Sequence, residues 1–151
     1  MIPTIGCIIY VYKKMVSTVP MSVLYSTSYD MTHPPSNICD NDEATFWMTT
    51  GLYPQEVAFK FSKPIQITRI TIVCGKAKNV VMYSATNPEL TEWVQVDSYK
   101  FESKPVKQQD THKLNMQSAS YGLKVEILQG WDAFSAIYLI RVDGPTVRFE
   151  E

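Results

Sequence analysis

VAFKF at residues 57–61 and LKVEI at residues 123–127 carry the reading of this chain's fold. In each, bulky apolar residues (Val57, Phe59, Phe61; Leu123, Val125, Ile127) alternate with small or charged ones (Ala58, Lys60; Lys124, Glu126). That period of two belongs to a strand with one buried and one wetter face. Working outward, the same texture marks strand candidates at residues 23–27, 80–85, 93–100, 108–114 and 136–142. Ile65 and Ile67 share one parity and Ile70 and Ile72 take the other, which predicts a bulge at Thr68-Arg69 that bends a single strand. Turn signals lie between the candidates at Lys63-Pro64, Asn87-Pro88, Lys104-Pro105, Gly130 and Gly144-Pro145. About eight or nine short antiparallel strands without helical periodicity predict an all-β chain, a jelly-roll β-sandwich.

The bulk numbers agree with one domain spanning residues 1–151, closed by a short tail at 145–151. Apolar residues make up 45% of the chain and charged ones 19%, a globular balance rather than a disordered one. Net charge is -1 and no basic run exceeds Lys13-Lys14, so nothing favours nucleic acid or an anionic membrane surface. Three widely spaced cysteines (Cys7, Cys39, Cys74) and five asparagines without an N-x-S/T sequon point to a reducing compartment. Residues 2–12 are apolar but lack a basic segment before them and are too short to cross a bilayer. Residues 1–14 are therefore expected to form an arm or buried first strand, with a true start at Met15 as the alternative.

Between strands lies HPPSNICDNDEATFWMTTGLYPQ, residues 33–55. Loops of this length in a compact domain usually carry a function. Asp40, Asn41, Asp42 and Glu43 offer oxygen ligands suited to Ca²⁺, which takes six to eight of them. The EF-hand register fails: counted from Asp40, position six is Thr45 rather than Gly, and position twelve is Gly51 rather than Glu. A calcium site here must combine loop carbonyls with a carboxylate from elsewhere, for which Asp143 beside Gly144 is the candidate. The alternative is that Asp40 and Asp42 cap turns through Asx bonds.

The chain resembles the intraflagellar transport protein 25 family. The likeness runs through His33-Pro34-Pro35, Asn37-Ile38, Asp40, Thr45-Phe46-Trp47, Thr49-Thr50-Gly51 and Pro54-Gln55-Glu56. It resumes at Ser118-Ala119, Asp132-Ala133-Phe134-Ser135 and Asp143-Gly144, so it covers most of residues 23–144. The resemblance implies a galactose-binding-like (discoidin-like) jelly roll holding Ca²⁺ through Asn37, Asp40 and Thr45, with Asp143 where the family more often has Glu. Asn41 stands where Gly is usual, and Asn is the non-Gly residue most tolerant of a left-handed turn. The resemblance further implies a subunit of the intraflagellar transport B complex in the cilium or flagellum and the cytoplasm around the basal body. There it forms a heterodimer with a Rab-like small GTPase subunit (intraflagellar transport protein 27), among other complex B subunits, and supports cargo transport.

Met48, Thr49, Thr50, Leu52 and Tyr53 follow the aromatic anchor and form the candidate docking patch; alternatively Leu52 and Tyr53 pack on the sandwich's own edge. Trp47, Trp93 and Trp131 are either structural or, in a lectin-like carbohydrate-binding module, sugar platforms. His33 and His112 have no nucleophile-elbow motif beside them, and Cys39 reads as a small thiol packed behind Ile38. Glu89/Glu92 and Glu150/Glu151 read as solvated, and there is no Gly-rich phosphate loop. The chain is read as non-catalytic. A secreted hydrolase accessory domain is the third reading.

Overall fold

The computed structural model describes residues 19–50 and 52–148. Gly51, Cys7, the expected arm at 1–14 and the last residues of the tail lie outside the described residues. Strands run as β1 (Met21–Ser26), β2 (Trp47–Met48), β3 (Gln55–Ile65), β4 (Arg69–Gly75), β5 (Ala77–Ala85), β6 (Trp93–Lys100), β7 (Gln108–Lys113), β8 (Ser120–Gly130) and β9 (Ala136–Asp143). A 3-10 turn at Pro35–Cys39 follows β1. One sheet has the order β1-β3-β8-β5-β6 and the other β2-β9-β4-β7. Every pairing is antiparallel. This is the expected jelly-roll sandwich.

The two diagnostic stretches pair with each other: Val57 faces Val125 and Phe59 faces Leu123 across β3 and β8. Their apolar phases coincide, so both present the same face to the core; a slip of one residue would turn every one of those side chains outward. Opposite them, Ile70, Ile72 and Cys74 of β4 and Ile137, Ile140 and Val142 of β9 close the shared core. Each fully buried aliphatic side chain contributes about 1.5–3 kcal/mol relative to exposure.

Two local expectations are corrected. Lys63-Pro64 does not end a strand, because β3 continues to Ile65. The parity switch at Thr68-Arg69 is no bulge in one strand: β3 and β4 belong to different sheets, and residues 66–68 cross between them. The core lies on opposite sides of the two sheets, so the buried parity must invert at the crossing. The crossing is held by Gln66 N to Pro145 O (3.0 Å) and Thr68 N to Asp143 O (2.8 Å). Gly144 lies so close that a Cβ there would collide with the Gln66 carbonyl. Register shifts occur elsewhere, between Val23 and Tyr25, Lys60 and Ile65, Val73 and Cys74, Ala77 and Asn79, Asn79 and Val80, and Met82 and Tyr83.

One side of the sandwich is closed where edge strands β6 and β7 meet. His112 of β7 places Nδ1 2.9 Å from an Asp97 carboxylate oxygen on β6 and Nε2 3.2 Å from Asp110. Its ring stacks on Tyr99 at 4.0 Å, and the Tyr99 hydroxyl donates to the Ile70 carbonyl at 3.2 Å. Burial pulls the His112 pKa down, but the Asp97 and Asp110 carboxylates outweigh it and hold it above its ordinary value. A raised folded-state pKa stabilises the fold fully below the unfolded value, and that gain disappears as pH rises through the folded value. The stability advantage of wild type over His112→Gln should therefore be largest near about pH 6 and shrink by about pH 9. Thermal melts of both proteins across that range check it, and a gap constant with pH would show that the ring acts by stacking alone.

Candidate functional site

The loop end of the sandwich is assembled on two buried side chains. Trp47, fully buried in the core, donates its indole N–H to the Ser28 carbonyl at 3.0 Å. It also brings β2 against β9, Trp47 facing Ile137 and Met48 facing Ala136. Next to it, Phe46 stacks on His33 (4.1 Å between rings) and leans on Tyr138 (5.1 Å). Lys107 sits over Tyr138 and donates to the Glu43 carbonyl at 2.8 Å, tying the loop down from the far side.

The second anchor is Gln55, only 6% exposed. Its amide N–H groups donate to Thr50 Oγ1 (3.0 Å) and the Leu52 carbonyl (2.6 Å). Its carbonyl oxygen accepts from Thr27 Oγ1 (2.7 Å) and from the Ser28 hydroxyl. Four bonds on one amide join Thr27, Ser28, Thr50 and Leu52 to the start of β3. Sequence reasoning gave Gln55 no role, since its partners lie up to 28 residues away and no local pattern marks them.

The expected metal ligands are brought together only in part. Asp40 accepts from Asp42 N at 2.9 Å and from Thr45 Oγ1 at 2.6 Å. The Asn37 side-chain amide closes the loop by donating to the Phe46 carbonyl at 2.9 Å. Asn41 adopts the left-handed conformation, φ 62°. Asp42 is turned to Ala44 N at 2.9 Å. Asp143 does not join them. Its carboxylate lies 3.0 Å from Arg69 Nε, whereas Cys39 and Asn41 share a cleft with Leu139 and Ile140. Three residues of strand, about 10 Å, separate Ile140 from Asp143. Antiparallel pairing sets Asp143 directly opposite Arg69 on β4, which accounts for the diversion. Among the described residues, no group of three or more His, Cys, Asp or Glu side chains is arranged to hold a metal ion, so calcium at this loop would depend on Asp40 with amide, hydroxyl or carbonyl oxygens.

The expected docking patch divides. Thr49 is buried: its N–H donates to the Ser135 carbonyl (2.9 Å) and its hydroxyl accepts from Ser135 N (3.2 Å). Tyr53 also turns inward, its hydroxyl 2.7 Å from Ser135 Oγ and packed where a Cβ on Gly130 would otherwise sit. Those two staple the segment to residue 135; Thr49 thereby leaves the surface, and Tyr53 is half-buried. Leu52 is 80% exposed, Thr50 exposed and Met48 half-buried. With Tyr29, 71% exposed, they line an open groove of about 500 Å³ whose inner wall is Thr27, Ser28 and Gln55.

Other candidate chemistry finds no support in the geometry. Burial and the neighbouring Asp40 charge push the Cys39 thiol up to about 12, the opposite of what a nucleophilic thiolate needs. Lys78 sits 4.7 Å above the Trp131 ring and Lys124 5.1 Å above Trp93, while Trp47 is enclosed. Each ammonium covers one face of its ring, and Trp131 stays 43% exposed.

The architecture recurs among solved structures, and the class it defines is the galactose-binding-like jelly roll. The family 32 carbohydrate-binding module from Clostridium perfringens NanJ, in complex with galactose, matches with a TM-score of 0.70 at 19% identity. The match covers 83% of this chain and 97% of that one. A chain of the reduced XRCC1 complex with the DNA pol beta catalytic domain matches with a TM-score of 0.75 at 16% identity, covering 85% of this chain and 99% of that one. At such identities the likeness concerns the fold alone. No family model matches the chain. In sequence, the human intraflagellar transport protein 25 homolog is 30% identical over 128 residues, 83% of this chain and 87% of the relative. Intraflagellar transport protein 25 of Chlamydomonas reinhardtii is 26% identical over 123 residues, 81% of this chain and 64% of that protein. The chain belongs to the intraflagellar transport protein 25 family.

Replacing Gln55 by Leu keeps much of the volume but removes the partner of the buried Ser28 hydroxyl, while the Thr27 hydroxyl and the Leu52 carbonyl sit at exposed residues that water reaches. One unsatisfied buried polar group costs about 1–3 kcal/mol, so Gln55→Leu should lower the unfolding free energy by about 1–3 kcal/mol. Urea unfolding of the two proteins measures it. A loss near zero would mean the loop end holds its shape without the amide.

Proposed function

We propose that this chain is a non-catalytic subunit of the intraflagellar transport B complex and forms a heterodimer with a Rab-like small GTPase subunit, intraflagellar transport protein 27. In that role it supports cargo transport in the cilium or flagellum and resides also in the cytoplasm around the basal body. Family membership carries the reading, through the 30% identity that extends over 87% of the human relative. The geometry is compatible with it: the loop end is cross-linked by Trp47 and Gln55, so little ordering cost remains when a partner docks there. Affinity purification from ciliated or flagellated cells, with mass spectrometry after a moderate salt wash, tests it. A near-stoichiometric Rab-like GTPase with further transport subunits is expected. Recovery of glycoproteins in their place would return the carbohydrate-binding reading.

The loop at residues 37–45 is proposed to take Ca²⁺ through Asp40 with oxygens of Asn37 and Thr45, Asp143 staying with Arg69. The support is the contact already present between Asp40 and Thr45 and the left-handed turn at Asn41. Occupancy would replace the Asp40–Thr45 hydrogen bond and stabilise the fold by mass action. Millimolar Ca²⁺ should raise the Tm of wild type, EGTA should reverse it, and Asp40→Asn should abolish it. Asp143→Asn should leave the calcium increment intact. A wild-type Tm indifferent to calcium rules the site out.

A further inference from the structure

The polar groups at the back of the groove are already used. Thr27 Oγ1 donates to Gln55 Oε1 and accepts from Glu56 N at 2.8 Å. The Ser28 hydroxyl donates to Gln55 and receives Thr50 N at 3.4 Å. Both amide hydrogens and both carbonyl lone pairs of Gln55 have partners. A sugar or other hydroxyl-rich ligand gains affinity by pairing with free donors and acceptors; here the Gln55 amide and the hydroxyl hydrogens of Thr27 and Ser28 are committed to internal bonds, which leaves few of them for such a ligand.

The rim is of the other character. Tyr29 (71% exposed) and Leu52 (80%) flank the groove, and Met31 (85%) stands two residues beyond Tyr29. Large apolar side chains this bare are ordinary when scattered, but Tyr29 and Leu52 line one concave surface, where such side chains mark an interaction site. Among the described residues, Asp30 is the single charged residue lining the groove, and no basic residue lines it. An acidic partner surface is therefore disfavoured, and an apolar side chain flanked by a basic one is the complementary occupant.

We infer that the groove between Tyr29 and Leu52 is the seat of an apolar side chain, with a basic neighbour facing Asp30, presented by the GTPase subunit. This inference rests on the heterodimer proposed above and assigns it a surface. Gln55 is the positioning residue: it touches no partner but fixes both groove walls through Thr27, Ser28, Thr50 and Leu52.

The experiment is titration calorimetry of the purified chain with the recombinant Rab-like GTPase subunit of the same organism. Leu52→Asp is compared with Val94→Asp, a control on β6 at another exposed apolar position (52% exposed). Both sites are exposed, and unchanged circular dichroism and Tm verify folding. Leu52→Asp should weaken binding at least tenfold, with Val94→Asp matching wild type. Tyr29→Ser, which leaves the charge unchanged, should also weaken it. Wild-type affinity in both Leu52→Asp and Tyr29→Ser would overturn the surface while leaving the heterodimer standing. Failure of wild type itself to bind the GTPase would overturn both.

Discussion

A single buried amide governs how the loops meet the sandwich. Gln55 opens β3, so its backbone is fixed by the sheet, and burial obliges its side chain to find partners for every donor and acceptor. Those partners are not in the sheet. They come from the end of β1 and from the segment after β2, which are thereby held at defined positions although neither is regular structure there. Trp47 adds the second constraint, filling the core with its ring while its N–H finds Ser28, the same residue that Gln55 engages. A loop end held in this way is rigid for reasons of polar satisfaction, whereas the strands below it are rigid for reasons of apolar burial.

The parts of the fold that are written locally were legible. Alternation at VAFKF and LKVEI requires only that neighbouring residues point to opposite faces, and the two stretches are indeed register partners. The segment at residues 93–100 coincides with β6 for the same reason. What escaped was information spread across the chain. Inverted parity around Thr68 has two causes, a bulge or a change of sheet, and only the tertiary arrangement distinguishes them. The two-residue β2 lies within a loop and is too short to show a period. Asp143 has loop-compatible chemistry, but its fate was set by Arg69, 74 residues earlier in the chain. Thr49 and Tyr53 look like surface residues until Ser135 is brought beside them.

Electrostatics on the two flanks of the sandwich follow opposite logic. Where β6 meets β7, two carboxylates converge on one imidazole, so protonation of His112 offsets one of the two negative charges and eases their mutual repulsion. On the outer face of the five-stranded sheet, Glu56 and Glu126 are direct cross-strand partners, a like-charge pairing that disfavours the register on its own. Two tyrosines relieve it: Tyr25 donates to Glu56 at 2.7 Å and Tyr83 to Glu126 at 2.9 Å. The core phases of β3 and β8 outweigh that repulsion, since several fully buried side chains would have to leave the core to avoid one exposed pair.

Sharing a fold with carbohydrate-binding modules at under 20% identity says how the strands are arranged and little about what the loops recognise. The distinction lies in the state of the polar groups. A sugar site needs donors and acceptors held ready and unpaired. Here the hydroxyls and the amide behind the groove are bonded to one another, and lysines lie over Trp93 and Trp131. The surface left free is made of Tyr29, Leu52 and Met31. Internal pairing gives up ligand hydrogen bonds and gains a rigid wall, an arrangement that lowers the ordering cost of any apolar contact made there.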